Sequence, residues 1–167
     1  LLFMGSEFGQ KREWQHEASL EWHVLQYPLH EGIQRWVADL NRVYQEQPAL
    51  YEKDFTSDGF AWVDIHNREE SVIGFLRYGG HKEDVILAVC NFTPVTRHHY
   101  MIGAPCGGKW EEVLNSDAHY YGGSGIGNFG QIMAGPLSVQ GYSNSLTLTL
   151  PPLAILVLKP VGAEGIL

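Results

Sequence analysis

Near Asp54 the spacing of apolar residues changes period, so the chain can be neither all helix nor all strand. Before it, Ile33, Trp36, Val37, Leu40, Val43 and Tyr44 recur at the three-and-four spacing of one helical face, with Glu31, Gln34, Arg35, Asp39 and Arg42 opposite. Pro28 suits the entry and Pro48 lies just past the end, which predicts a helix over His30 to Glu46. After Asp54 come short runs rich in β-branched and aromatic residues, broken by Gly, Pro, Asn and Asp. They predict strands near Phe60 to His66, Val72 to Tyr78, Val85 to Phe92, Tyr100 to Gly103, Trp110 to Leu114, Leu146 to Leu150 and Ala154 to Leu158. Val85 to Cys90 is apolar on both faces and should be central; Ser145 to Leu150 alternates and should have one wet face. The fold class expected is mainly β, an antiparallel β-sandwich, with an aperiodic surface loop from Gly122 to about Gly141.

Composition removes several classes of function. At 44% hydrophobic over 167 residues the chain can fill a real core, so global disorder is excluded. A net charge of -8 argues against nucleic acid, because phosphate contacts need clustered cations. No run reaches the roughly 20 apolar residues that span a bilayer, so no membrane partner is expected. Two cysteines, Cys90 in an apolar run and Cys106 in a Pro-Gly loop, suit small buried hydrophobes in a reducing compartment; the cytoplasm is the expected location.

The opening run Leu1 to Met4, stopping in Gly5-Ser6-Glu7-Phe8-Gly9-Gln10, reads as the end of a buried parallel strand followed by a functional loop. It suggests the tail of a domain lying mostly upstream, and a strand edge without neighbours should be remodelled, mobile or held by a partner. With Glu13-Trp14 and Leu20-Glu21-Trp22, the loop combines carboxylates, an amide and indoles. Sugar rings are bound by that mixture, aromatic faces covering C–H patches while planar polar groups pair with hydroxyls. Equally, Glu7 could brace the loop through backbone hydrogen bonds, with both indoles packed beneath it.

Other candidates favour plainer readings. His16, Glu17 and His23 lack the helical spacing of a zinc motif, and nothing else calls for a metal or cofactor. His98-His99 suits the solvated start of a strand. Gly122 to Gly127 has neither the strand before it nor the helix after it that a phosphate cradle needs, so its glycines fit tight turns. Tyr120-Tyr121 favours packing over a sugar platform. Glu111 and Glu112 should point to opposite faces of a strand, and Asp64 has no evident partner, which argues against a glycosidase-type carboxylate pair.

Phe3 to Gln10, Glu13-Trp14 and Leu20 to Leu25 resemble the end of the catalytic barrel in bacterial 1,4-α-glucan (glycogen) branching enzymes of the α-amylase superfamily. The resemblance continues through Leu40 to Tyr44, Pro48 to Leu50, Val89 to Pro94, Trp110 to Asp117, Tyr121 to Gly125 and Leu148 to Ala154, nearly the whole chain. It implies that residues 1–50 are the last strand, rim loop and helix of a (β/α)8 barrel and 51–167 the C-terminal β-sandwich. It also implies a parent glycosyltransferase that cleaves an α-1,4 link, holds the fragment as a covalent glycosyl-enzyme and transfers it to a 6-hydroxyl. The partners implied are an α-glucan, glycogen or amylose, and the missing barrel. The family's nucleophilic Asp, acid/base Glu and stabilising Asp have no counterpart in residues 1–167, so no catalytic residue is assigned and the chain alone should be inactive. The resemblance places Glu7 and Gln10 near the active-site rim, with Trp14 and Trp22 lining or buttressing it. Alternatively, the β-domain is a stand-alone glucan-binding module, with Trp110, Tyr120 and Tyr121 as platforms, or a barrel-stabilising one. Residues 163–167 look like a dispensable tail.

Overall fold

Pro28 occupies the first position of helix α1 (Pro28–Glu46), where its missing N–H costs nothing. The helix stops at Gln47, whose helical backbone is disfavoured by the ring of Pro48. In the computed structural model, which describes residues 2–12 and 15–162, eight strands follow. They are β1 (Phe60–Asp64), β2 (Val72–Tyr78), β3 (Val85–Asn91), β4 (Arg97–Ala104), β5 (Gly108–Asn115), β6 (Gln131–Ala134), β7 (Asn144–Leu150) and β8 (Ala154–Pro160).

Strand pairing is antiparallel throughout, in a six-stranded sheet of order β1-β2-β3-β8-β5-β6 and a two-stranded sheet β4-β7. The sandwich core lies between them: Leu76, Leu87, Val89, Trp110, Leu156 and Leu158 meet Tyr100, Ile102, Leu146, Leu148 and Leu150. Both periodicity expectations hold. Thr147 is exposed between buried Leu146 and Leu148. In β3, Leu87 and Val89 enter the core while Ile86 joins Val43, Ala49, Leu114 and Val157 under α1. Two apolar faces were needed because the central strand is covered on both sides.

Two expectations are corrected. Leu2 and Phe3 are about half exposed and Met4 lies in a turn with φ 37°, so Leu2 to Met4 form no strand here, although the opening run was expected to be the end of one. The segment from Gly122 to Gly141 is not all loop, because it contains the edge strand β6 paired with β5. Asp64, read above as lacking a partner for a carboxylate pair, is held by neutral groups: its Oδ2 accepts from Tyr100 Oη (2.6 Å) and Gln140 Nε2 (2.8 Å).

Candidate functional site

The loop at the opening is built by backbone that glycine tolerates best. Gly5 (φ 85°) and Gly9 (φ 68°) flank a single 3-10 turn, Ser6–Phe8, which reverses the chain and drives Phe8 to full burial. On α1, His30 Nδ1 lies 2.9 Å from the Phe8 carbonyl. A carbonyl only accepts, so this contact selects the Nδ1–H tautomer and ties loop to helix.

The second half of the loop is closed by a reciprocal clasp. Gln10 Oε1 accepts the Glu21 amide (3.0 Å) while Gln10 Nε2 donates to the Arg12 carbonyl (2.8 Å). Glu21 Oε2 in turn accepts the amides of Lys11 (3.1 Å) and Arg12 (3.2 Å), and its Oε1 lies 3.3 Å from Arg12 Nε. Desolvation pushes the Glu21 carboxyl up, but the Arg12 and Lys11 amides and the Arg12 charge outweigh it and hold it below the usual carboxylate range.

The four candidate residues therefore separate. Gln10 spends its amide on the clasp. Glu7 is half-buried, and its carboxylate has no hydrogen bond or ion pair among the described residues. Trp22 is half exposed and lies 5.1 Å from the Phe8 ring at 33°, so one part of the indole buttresses the loop and the rest faces solvent. Trp14 lies outside the described residues. Glu7 and Trp22 thus present a carboxylate and an aromatic surface on a loop held by Glu21, which the sequence offered only as one of the loop's carboxylates, and by His30, which it did not single out.

The sandwich offers a different surface. Trp110 is fully buried with Nε1 donating to the Cys106 carbonyl (3.3 Å), which rules it out as a platform. Tyr121 packs edge-on to Trp36 (5.1 Å) and donates to Asp39 Oδ2 (2.6 Å), as a packing role requires; Tyr120 stays exposed with the Arg35 guanidinium 5.0 Å from its ring. The open aromatic surface lies instead on the outer face of β1 and β2. Phe60 and Trp62 share a face at i and i+2, and register sets Phe75 opposite Trp62. Ring centroids lie 4.8 Å (Phe60–Trp62), 5.6 Å (Phe60–Phe75) and 6.1 Å (Trp62–Phe75) apart, with Trp62 52% exposed. Alternation in β1 was the signal for the first two; Phe75 needed the pairing. Among the described residues no group of three His, Cys, Asp or Glu is placed to hold a metal, and no helix is long and apolar enough to cross a membrane.

Residues 62–161 match the family model described as alpha amylase, C-terminal all-beta domain. Across 97% of its length the chain is 55% identical to a 1,4-alpha-glucan branching enzyme GlgB of Aquifex aeolicus, and across 96% it is 56% identical to that of Aromatoleum aromaticum. The matched segment is 26% and 25% of those proteins, so the chain spans about a quarter of the length of the curated relatives it matches. A crystal structure of alpha-amylase from H. orenii superposes on 95% of the chain and 31% of its own, with a TM-score of 0.53 at 16% identity, a likeness of fold.

Proposed function

The chain belongs to the family of alpha-amylase C-terminal all-beta domains, and from that premise we propose that it is the C-terminal part of a 1,4-α-glucan branching enzyme. The observation that carries this reading is identity above one half to branching enzymes over nearly the whole chain. In this reading residues 1–50 complete a catalytic barrel and 51–167 form the sandwich beside it. The enzyme cleaves an α-1,4 link of glycogen or amylose, keeps the fragment on a carboxylate as a glycosyl-enzyme, and transfers it to a 6-hydroxyl with retention. The nucleophile and acid/base belong to parts of the barrel beyond these residues. Glu7 and Trp22, with Trp14 nearby in sequence, face the glucan at the rim, and Gln10 positions them through its clasp with Glu21. Unpaired Cys90 and Cys106 suit the reducing cytoplasm.

Incubated with amylose, the chain alone should leave iodine absorbance unchanged, while a longer protein containing it and the barrel lowers that absorbance. Branching by the purified chain, after a contamination control, would overturn the division of labour.

A second reading rests on the aromatic ledge. Phe60, Trp62 and Phe75 hold a glucan chain on the sandwich by covering sugar C–H faces. Electrophoresis in glycogen gels tests it: Trp62→Ala should weaken retardation on the order of tenfold, the worth of a lost aromatic contact. Unretarded migration of the unaltered chain removes the ledge reading.

A further inference from the structure

Phe129 is an aromatic side chain fully exposed on left-handed backbone (φ 57°), a conformation unfavourable for a bulky residue. It is not loosely held. The neighbouring Asn128 donates its amide (3.2 Å) and Nδ2 (3.1 Å) to Glu112 Oε2, and Nδ2 also reaches the Thr149 carbonyl (3.1 Å). Asn128 Oδ1 accepts the Thr149 amide (2.8 Å), and the Glu112 amide donates to the Gly130 carbonyl (2.9 Å). Both β5 and β7 therefore grip the loop on either side of Phe129 and fix where its ring projects. Strain of this kind persists where the surrounding structure enforces it, and it gathers at binding sites.

Beside the ring is a cavity of about 500 Å³, inside the range of roughly 300–1,000 Å³ found for small-molecule clefts. Its polar groups are mostly spoken for: Asn115 Nδ2 donates to the Ile126 carbonyl (2.8 Å), and Asn115 Oδ1 accepts the Asp117 amide (2.9 Å). His98 and Thr149 also line it, and two of its acceptors are open. Glu112 Oε1 has no partner among the described residues, and no described cation pairs with Glu112. His119 Nδ1 lies 3.0 Å from the Gly123 carbonyl, which fixes its proton there and leaves Nε2 as an acceptor. Close packing fixes the wall, since a Cβ on Gly125 would sit 2.4 Å from His119 Nε2 and one on Gly127 2.5 Å from Asn115 Nδ2.

An uncompensated carboxylate repels anions, and two acceptors beside an exposed ring match a neutral ligand with hydroxyl donors on one edge and C–H groups on one face. We infer that Phe129 and this cavity form a second saccharide subsite, on a different surface from the Phe60, Trp62 and Phe75 ledge, taking pyranose units of an α-glucan chain. The identity of the saccharide rests on the proposed function above.

The test uses Phe129→Gly, which removes the ring and relieves the strained φ together. Titrated with maltoheptaose, the variant should bind on the order of tenfold more weakly. Its melting temperature should rise by about 2–4 °C, because glycine adopts that backbone freely. Unchanged affinity in Phe129→Gly, with Trp62→Ala weakened, overturns the subsite and leaves the ledge standing. If the unaltered chain binds no maltoheptaose, subsite and ledge both fall, while the iodine assay on the longer protein still decides the branching reading. A longer enzyme that melts lower with Phe129→Gly and keeps its affinity marks Phe129 as a contact within the protein, which also overturns the subsite.

Discussion

Asn91→Leu should lower unfolding free energy by about 2–4 kcal/mol, the sum expected when several buried polar groups lose their partner at once. Asn91 is 1% exposed at the end of β3, and its amide is used in full. Nδ2 donates to the carbonyls of Val95 (2.8 Å) and Pro151 (2.8 Å), while Oδ1 accepts from the Thr93 amide (3.1 Å) and Thr93 Oγ1 (2.8 Å). One side chain thus pins the turn after β3 to the connection between β7 and β8. Leucine is close in volume, so the loss is not a cavity; it is the desolvation of groups that water reaches poorly. The Pro151 carbonyl suffers most, being in a buried residue, whereas exposed Val95 can recruit solvent. Thr93→Val removes only one of the donors and should cost about 1 kcal/mol. Urea denaturation reads both: the midpoint should fall for Asn91→Leu with an unchanged slope. A loss below that of Thr93→Val would show that the amide does not hold the turn.

Asn91 marks the boundary of what the sequence makes legible. Its strand was readable, because Val85 to Cys90 is apolar at every position and only a strand covered on both faces explains that. The amide's partners were not, since Pro151 is 60 residues away. The same division runs through the candidate sites. Helix α1 and the Leu146, Leu148 and Leu150 face followed from local periods. Strand β6 escaped because four residues at an exposed sheet edge carry almost no pattern, and the glycines around it signal turns equally well. The opening run Leu1 to Met4 carries the composition of a buried strand, but composition does not supply the neighbours a strand must pair with. Breaks in register in β1, β4 and β5 were likewise invisible, being set by the partner strand. For the loop of Glu7, Gln10 and Trp22, residue types suggested sugar chemistry. Only geometry separated the clasping amide from the open carboxylate.

Gly32→Ala should destabilise the protein by about 2–4 kcal/mol, against the direction that helix propensity alone dictates. Gly32 lies inside α1, where alanine is favoured by about 1 kcal/mol. Tertiary packing reverses the sign: a Cβ there would sit 2.2 Å from the Tyr121 carbonyl oxygen and 2.7 Å from its carbon, and backbone cannot swing aside as a side-chain tip can. The helix would have to lift. Lifting stretches the Tyr121 Oη to Asp39 bond (2.6 Å), the Arg35 contact to the Tyr120 carbonyl (3.3 Å) and the edge contact of Trp36 on Tyr121, and it opens the layer of Val43 against Ile86 and Leu114. Hydrogen exchange should locate the damage, with α1 amides losing more protection than those of β3, whose other face stays in the sandwich core. Acid provides an independent check. The hydrogen bond from Tyr121, aided by Arg42, holds the Asp39 carboxyl below its ordinary value despite partial desolvation. A depressed folded pKa stabilises above the unfolded value, about 4, and that contribution fades as pH falls through the folded one. Docking of α1 in the unaltered chain should therefore weaken below about pH 4, while Gly32→Ala, having already lost the bond, should weaken less. A variant as stable as the parent, with the same acid response, would mean that α1 rides on the sandwich without interlocking.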